Sequence, residues 1–288
     1  MKATNEKFLL AIARIETFSA APRILSRAMR LLRDPQSDLE SIVTLVANDP
    51  ALAADLIRCS NSAFYGHGSP VKTVGEAVQK IGFRETIRQL NLAIARVAAG
   101  RDLASYGISA DNFWAESVFN GLFLFGLAEL TNGADPDEAY TVGLLRFMGR
   151  LAIDQAVRDL GAGSANANEM TLTRWEEESV GLNQAQAGAM LLAKWQFSED
   201  MVEAVAKQDS PADAPGNWLA EGLHFATMLL PREPGAAFRP SPAAATAIPP
   251  AGREFMRRNR LTQQTVEALL ASTLKSFEQV RGAFGRRH

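Results

Sequence analysis

Residues 143–150 read Gly143-Leu144-Leu145-Arg146-Phe147-Met148-Gly149-Arg150. The stretch continues an apolar helical run. Asp135-Pro136 opens it, with proline at the first helical position, and Ala139, Val142, Leu145 and Ile153 carry its buried face. Two residues set the chemistry of the run. Arg146 is a cation and Phe147 a phenyl ring, and neither gives a metal ion the lone pair it needs.

Working outward, helical signals dominate, while alternating β-branched runs and Asn-Gly or Asp-Gly hairpin turns are absent. Toward the N-terminus, Phe8, Ile12 and Ile15 give a short amphipathic helix, and Pro22 opens a second through Ile24, Leu25, Met29 and Leu32. Ser37 with Glu40 and Thr73 with Glu76 have capping-box spacing, and Asp49-Pro50 opens another helix. Gly82 breaks the pattern before a helix over about 83–99. Asp111 is the expected cap of a long helix through Phe113, Trp114, Val118, Leu122, Phe125 and Leu130. Further starts fall at Thr173 with Glu176, Asn183 with Gln186, Ser198 and Asn217. Residues 231–252 are rich in Pro and Ala and read as a mobile linker. The last helix starts near Thr262 and carries an apolar stripe from Val266 to Phe284, which must dock on something.

The 288 residues suffice for one large or two small cores. A hydrophobic share of 47% and a charged share of 22% are those of an ordinary soluble protein. A net charge of −2 gives no general pull toward nucleic acid. The lone Cys59 forms no internal disulfide, and no signal peptide is evident, so a cytoplasmic location is expected. The apolar region near Val118–Leu130 is broken by Asn120, Gly121 and Gly126 and is too short to span a bilayer. His67, His224 and His288 lie far apart, so no helix presents two histidines to a metal.

Five segments, in order, carry a family resemblance. They are Asn48-Asp49-Pro50-Ala51-Leu52 with Cys59-Ser60-Asn61-Ser62-Ala63-Phe64-Tyr65-Gly66; Val71 to Gly82; Phe113-Trp114-x-x-Ser117; Gly143 to Gly149; and Glu178-x-x-Gly181-x-Asn183-Gln184 running on to Gly188-Ala189 and Trp195. Over roughly residues 8–230 the chain resembles the HDOD (HD-related output domain) family of bacterial signalling proteins, degenerate relatives of the HD-type metal phosphohydrolases. In those enzymes a His-Asp pair within Gly-Leu-Leu-His-Asp-hydrophobic-Gly holds a divalent metal. Arg146 and Phe147 stand in that pair's place, Gln184 where a later His often stands, and Lys207, Gln208 and Asp209 where a His-His pair follows Trp195. Only Asp209 is a good oxygen donor, and one carboxylate does not hold a catalytic metal.

The resemblance implies an all-α fold, with an N-terminal helical bundle packed on a degenerate HD-like helical domain. The expected boundaries are 1–105 for the first part, 106–230 for the second, then the linker 231–252 and a docking C-terminal extension, 253–288. It further implies a non-enzymatic regulatory module without cofactor, acting in trans on a sensor kinase, a response regulator or a cyclic-dinucleotide enzyme. Rival readings are a metal-dependent phosphohydrolase or phosphodiesterase with a rebuilt site, and a nucleotide sensor in which Arg146 and Lys207 grip the anion without hydrolysis.

Within the replaced site, the simpler expectation is that Phe147 fills the vacated cavity while Arg146 pairs with an acid or snorkels to water. The sharper one is a new pocket in which Arg146 grips a phosphate or carboxylate. The loop over 60–70 is the partner-binding candidate, through Asn61, Tyr65 and His67. For Asn61 the plainer role is bonding the loop backbone, which leaves Tyr65 and His67 as the exposed candidates. Cys59 reads as a buried thiol, His224 as a satisfied core histidine and the tryptophans as core anchors. Glu176, Glu177 and Glu178 read as an acidic helix start.

Overall fold

The computed structural model describes Phe8, Leu10, Leu31, residues 39–47, Ala53, 56–57, 59–61, Tyr65, 71–98, 102–161, 171–195, 197–230 and 238–284. Among these the chain is all-α: twelve α-helices, three connections holding 3-10 turns, the first of them closed by an isolated bridge between Leu103 and Ile108, and no strand. Expectations resting on Pro22, Ser37, Asp49, Phe64 and His67 fall outside the described residues. The chain divides into two compact units. One comprises Met1–Glu16 with Ala99–Glu278, the other Thr17–Ala98 with Gln279–His288.

In the smaller unit, α1 (Leu39–Ala47), α2 (Val74–Ile81) and α3 (Phe83–Ala98) pack in sequence. Ile42, Val46, Ala77, Val78, Ile87 and Leu90 form its apolar interior. Thr73 caps α2 by accepting the Glu76 amide, as its spacing predicts. The break at Gly82 has a backbone cause: φ is +83° there, a conformation that costs a residue with a Cβ.

The larger unit is built on a helical hairpin. Ser109, not Asp111, caps α4 (Ala110–Thr131), and Asp135 with Pro136 starts α5 (Pro136–Leu145). A Cβ at Gly143 would lie 2.6 Å from the Asn120 carbonyl oxygen, so glycine permits this close crossing. The helix does not run on to Ile153 as expected. It stops at Leu145, and α6 (Met148–Leu160) begins after Phe147. Next come α7 (Leu172–Ser179), α8 (Gln184–Lys194), α9 (Glu199–Ala206) and α10 (Trp218–Leu229). Thr171 caps α7 in place of the expected Thr173, while Asn183 and Gln186 form the full reciprocal box on α8. Helix α6 lies on α8 backbone to backbone. A Cβ at Gly149 would sit 1.9 Å from the Gln184 carbonyl oxygen and 2.6 Å from the Gly188 amide nitrogen.

The described part of the expected linker, 238–252, is packed. Pro242–Ala247 forms a 3-10 turn and Pro250 opens α11 (Pro250–Arg258), with Ala245 and Ile248 buried. Proline here starts helical turns, and alanine is small enough to bury against neighbours. Phe238 sets its ring edge-on to Phe119 at 5.6 Å. The final helix, α12 (Gln263–Phe284), docks as its stripe requires: Phe277 meets Phe119 at 5.8 Å, and Leu269 faces Gly126 of α4. Burying a side chain such as Phe277 stabilises by about 1.5–3 kcal/mol.

Candidate functional site

The break between α5 and α6 is the centre of the candidate site. Gly143 seats one side of the junction on α4 and Gly149 seats the other on α8. Arg146 and Phe147 lie between them and project into the protein.

Arg146 is 2% exposed. Its Nε donates to Gln208 Oε1 at 3.0 Å, and its Nη1 to Asn120 Oδ1 at 2.9 Å and the Leu223 carbonyl at 3.1 Å. Its Nη2 donates to Thr227 Oγ1. Gln208 returns the contact, its Nε2 donating to the Arg146 carbonyl at 3.2 Å and the Val205 carbonyl at 3.0 Å. One guanidinium thus ties the junction to α4, to the turn after α9 and to α10. Every one of these acceptors is neutral. Burial pulls the Arg146 guanidinium down to about 9, partly opposed by the charge of exposed Asp209 and assisted by that of Arg150. It therefore stays charged at neutral pH. Both simple expectations for Arg146 are corrected: it neither pairs with an acid nor reaches water. Hydrogen bonds to fixed neutral dipoles replace its lost hydration.

Phe147 is buried between two guanidinium groups, Arg146 at 4.7 Å and Arg150 at 4.1 Å from its ring centroid. Arg150 also reaches Glu116 Oε2 at 3.2 Å in a nearly buried ion pair. Behind this pair lies Glu176. It accepts from Tyr106 OH at 2.9 Å and from the Gln184 amide at 2.8 Å. Burial raises the Glu176 carboxyl above its ordinary value, against the Gln184 amide, Arg150 and Tyr106, which all favour its charge. Burial, then Glu176, raises the Tyr106 phenol. Glu176 is thus a buried polar anchor in the body of α7, not the acidic first turn expected of it.

Of the remaining replaced positions, Gln184 is buried at the start of α8, its Oε1 without a hydrogen-bond partner among the described residues. Lys207 turns outward, its Nζ 3.7 Å from Asp213. Arg146 and Lys207 are therefore committed to different partners. Arg146, Phe147, Gln184 and Gln208 converge on one packed region, while Lys207 and Asp209 stay at its surface. These residues do not fit a metal ion: a buried guanidinium already takes up the polar acceptors of the junction. Among the described residues no group of three or more His, Cys, Asp or Glu is placed to hold a metal.

In the smaller unit, Asn61 closes its loop. Its Nδ2 donates to the Val71 carbonyl at 2.8 Å and its Oδ1 accepts the Val71 amide at 2.7 Å. Tyr65 is half-buried; its hydroxyl donates to Glu85 and accepts from Gln89 Nε2 at 2.8 Å. Burial and Glu85 hold the Tyr65 phenol well above its usual value. Cys59 is buried and donates to Gln89 Oε1 at 3.0 Å. His224, expected in the core, is half-buried at the edge of the Arg146 network, where its Nδ1 donates to the Gln208 carbonyl at 3.0 Å.

Sequence reading passed over Glu116, Asn120, Arg150, Tyr106 and Thr227. The available signal was Glu116 and Asn120, polar residues one turn apart and next to the apolar stretch from Leu122 to Leu127.

The profile of the HDOD domain matches residues 19–211. An uncharacterized protein of Treponema pallidum (strain Nichols) is 26% identical over 237 residues, which cover 80% of this chain and 45% of that protein. The chain thus spans less than half the length of this relative. An HDOD domain protein of unknown function from Geobacter sulfurreducens has a similar fold, with a TM-score of 0.71 at 18% identity over 98% of this chain and 99% of that one. A protein from Marinobacter aquaeolei VT8, provisionally named for signal transduction, gives a TM-score of 0.70 at 21% identity over 99% of this chain and 66% of that one. No helix among the described residues is long and apolar enough to cross a membrane.

Proposed function

The chain belongs to the HDOD domain family, and from that premise we propose that it is a non-enzymatic regulatory module of a bacterial signalling pathway, acting by binding other proteins. The observation that carries this reading is the seating of Arg146. A guanidinium held by Asn120, Gln208, Leu223 and Thr227 occupies the junction where a hydrolytic relative would need lone-pair donors. Its hydrogen bonds are already committed to neutral groups, it is buried, and Lys207 turns to Asp213, which disfavours a nucleotide gripped by Arg146 and Lys207.

The partners of this reading are a sensor kinase, a response regulator or a cyclic-dinucleotide enzyme. The docking surface to test first is the loop over 60–70, with Tyr65 and His67 as the candidate contacts, although Tyr65 is half-buried and bonded to Glu85 and Gln89 rather than exposed as expected. The test has two arms. Purified protein is analysed for bound metal and assayed against cyclic dinucleotides and nucleotides. A partner recovered from the native host is then titrated against wild type and against Tyr65→Ala with His67→Ala. The expected outcome is no turnover, with partner affinity lost in the double variant. A stoichiometric transition metal with turnover overturns the non-enzymatic reading, and unchanged affinity removes the loop.

A further inference from the structure

A cleft of about 570 Å³ opens beside the Arg146 network, bounded by α10, α11 and the turns over 210–216. This size suits a small organic molecule. Its floor is apolar: Phe225 stacks on Phe255 with centroids 4.7 Å apart and 25° between planes, and Met228 lies alongside. Pro211, Ala212 and Pro215 line the cleft from the turns.

The polar groups are few, and most are already engaged. Arg258 donates to Glu221 at 2.9 Å, and Glu254 takes Arg257 at 2.7 Å. An incoming anion therefore meets one cation that is already paired, beside two carboxylates. His224 is different. A carbonyl oxygen only accepts, so the bond to Gln208 assigns the ring proton to Nδ1. In the neutral ring Nε2 is then a lone-pair acceptor, with no hydrogen-bond partner among the described residues, on a ring that lines the cleft.

We propose that this cleft binds a small, flat, nitrogen-bearing aromatic molecule, neutral or cationic, whose N–H donates to His224 Nε2 while its ring packs on Met228, Pro211 and Pro215, the apolar lining residues that the buried Phe225–Phe255 stack supports from behind. The proposal goes beyond the regulatory reading and does not depend on it. The His224 ring is held by the backbone carbonyl of Gln208, the residue whose side chain holds Arg146, so an occupant touches the network at one remove.

Tryptamine, indole and indoleacetate, titrated against the full chain by ligand-observed NMR, test it. Tryptamine and indole are expected to bind with Kd below about 1 mM, and indoleacetate at least about tenfold more weakly. Met228→Trp and Ala212→Trp fill the cleft from different sides, and each is expected to abolish binding. Ala212 is exposed, so its replacement spares the core and keeps the test valid even where Met228→Trp fails to fold. His224→Phe keeps a ring, removes Nε2 and is expected to weaken binding about tenfold. The proposal is overturned by absence of binding, by binding that survives Ala212→Trp or ignores His224→Phe, or by indoleacetate binding as tightly as tryptamine.

Discussion

Gln208 holds Arg146 at both ends: its Oε1 accepts from the guanidinium Nε at 3.0 Å, and its Nε2 donates to the Arg146 backbone carbonyl at 3.2 Å. The Gln208 side chain thus fixes both the side chain and the main chain of a residue 62 positions away. The first prediction concerns this pair. Arg146→Ala strands buried acceptors on Asn120, Gln208 and Leu223 and is expected to cost about 3–5 kcal/mol. Arg146→Lys keeps the charge but not the planar fork, and is expected to lose at least about 2 kcal/mol. Urea unfolding measures both. A double-mutant cycle with Gln208→Ala is expected to show about 1–3 kcal/mol of coupling, and additivity contradicts the paired arrangement.

The seat of α6 on α8 predicts opposite effects at two helical glycines. Gly149→Ala drives a Cβ into backbone atoms of Gln184 and Gly188, and is expected to destabilise by about 3 kcal/mol or more. Gly75→Ala in α2 meets nothing within 4 Å and is expected to stabilise by about 0.4–1 kcal/mol through the unfolded chain. Thermal unfolding of the two variants separates them by sign.

Glu176 predicts a pH dependence. Its carboxyl lies above its ordinary value in the folded protein, so the native state binds this proton more tightly than the unfolded chain does. The resulting stability is fully present in acid, below the unfolded value, and is lost as pH rises through the folded one. As pH rises above the ordinary carboxyl value of 4.5, unfolding free energy in wild type is expected to gain less, or fall more, with pH than in Glu176→Gln. Parallel profiles for the two proteins contradict the assignment.

Asn61 predicts a local effect. Asn61→Ala removes both bonds to Val71 and is expected to cost about 1–2 kcal/mol. Amide exchange at Val71 reads the change directly: protection is expected to drop there while the Gly149 amide keeps its rate. Unchanged protection at Val71 means the loop ends are held by other contacts.

Much of the helical architecture is legible in the sequence because capping is local. Thr73, Asn183 and Asn217 each accept the predicted amide, and Gly82 breaks the chain where its φ requires. The break at Arg146 and Phe147 is not local. No proline or cap marks it; it comes from Gly143 on Asn120 and Gly149 on Gln184, contacts between distant parts of the chain. The substitution of metal-ligand positions is plain from residue chemistry alone. What Arg146 does instead depends on Asn120, Gln208, Leu223 and Thr227, which no spacing rule links to it. A start of α7 at Thr173 puts Glu176 in an acidic first turn; the start at Thr171 puts it in the body of the helix, where it is buried. The Pro and Ala content around 238–252 describes polarity, not burial, and so missed the packing of Ala245 and Ile248.

Because no side-chain layer cushions Gly149 from Gln184 and Gly188, α6 and α8 have no slack to shear past one another. They move as one lever. A displacement of α8 is therefore expected to carry with it α6 and the Arg146 junction that α6 follows.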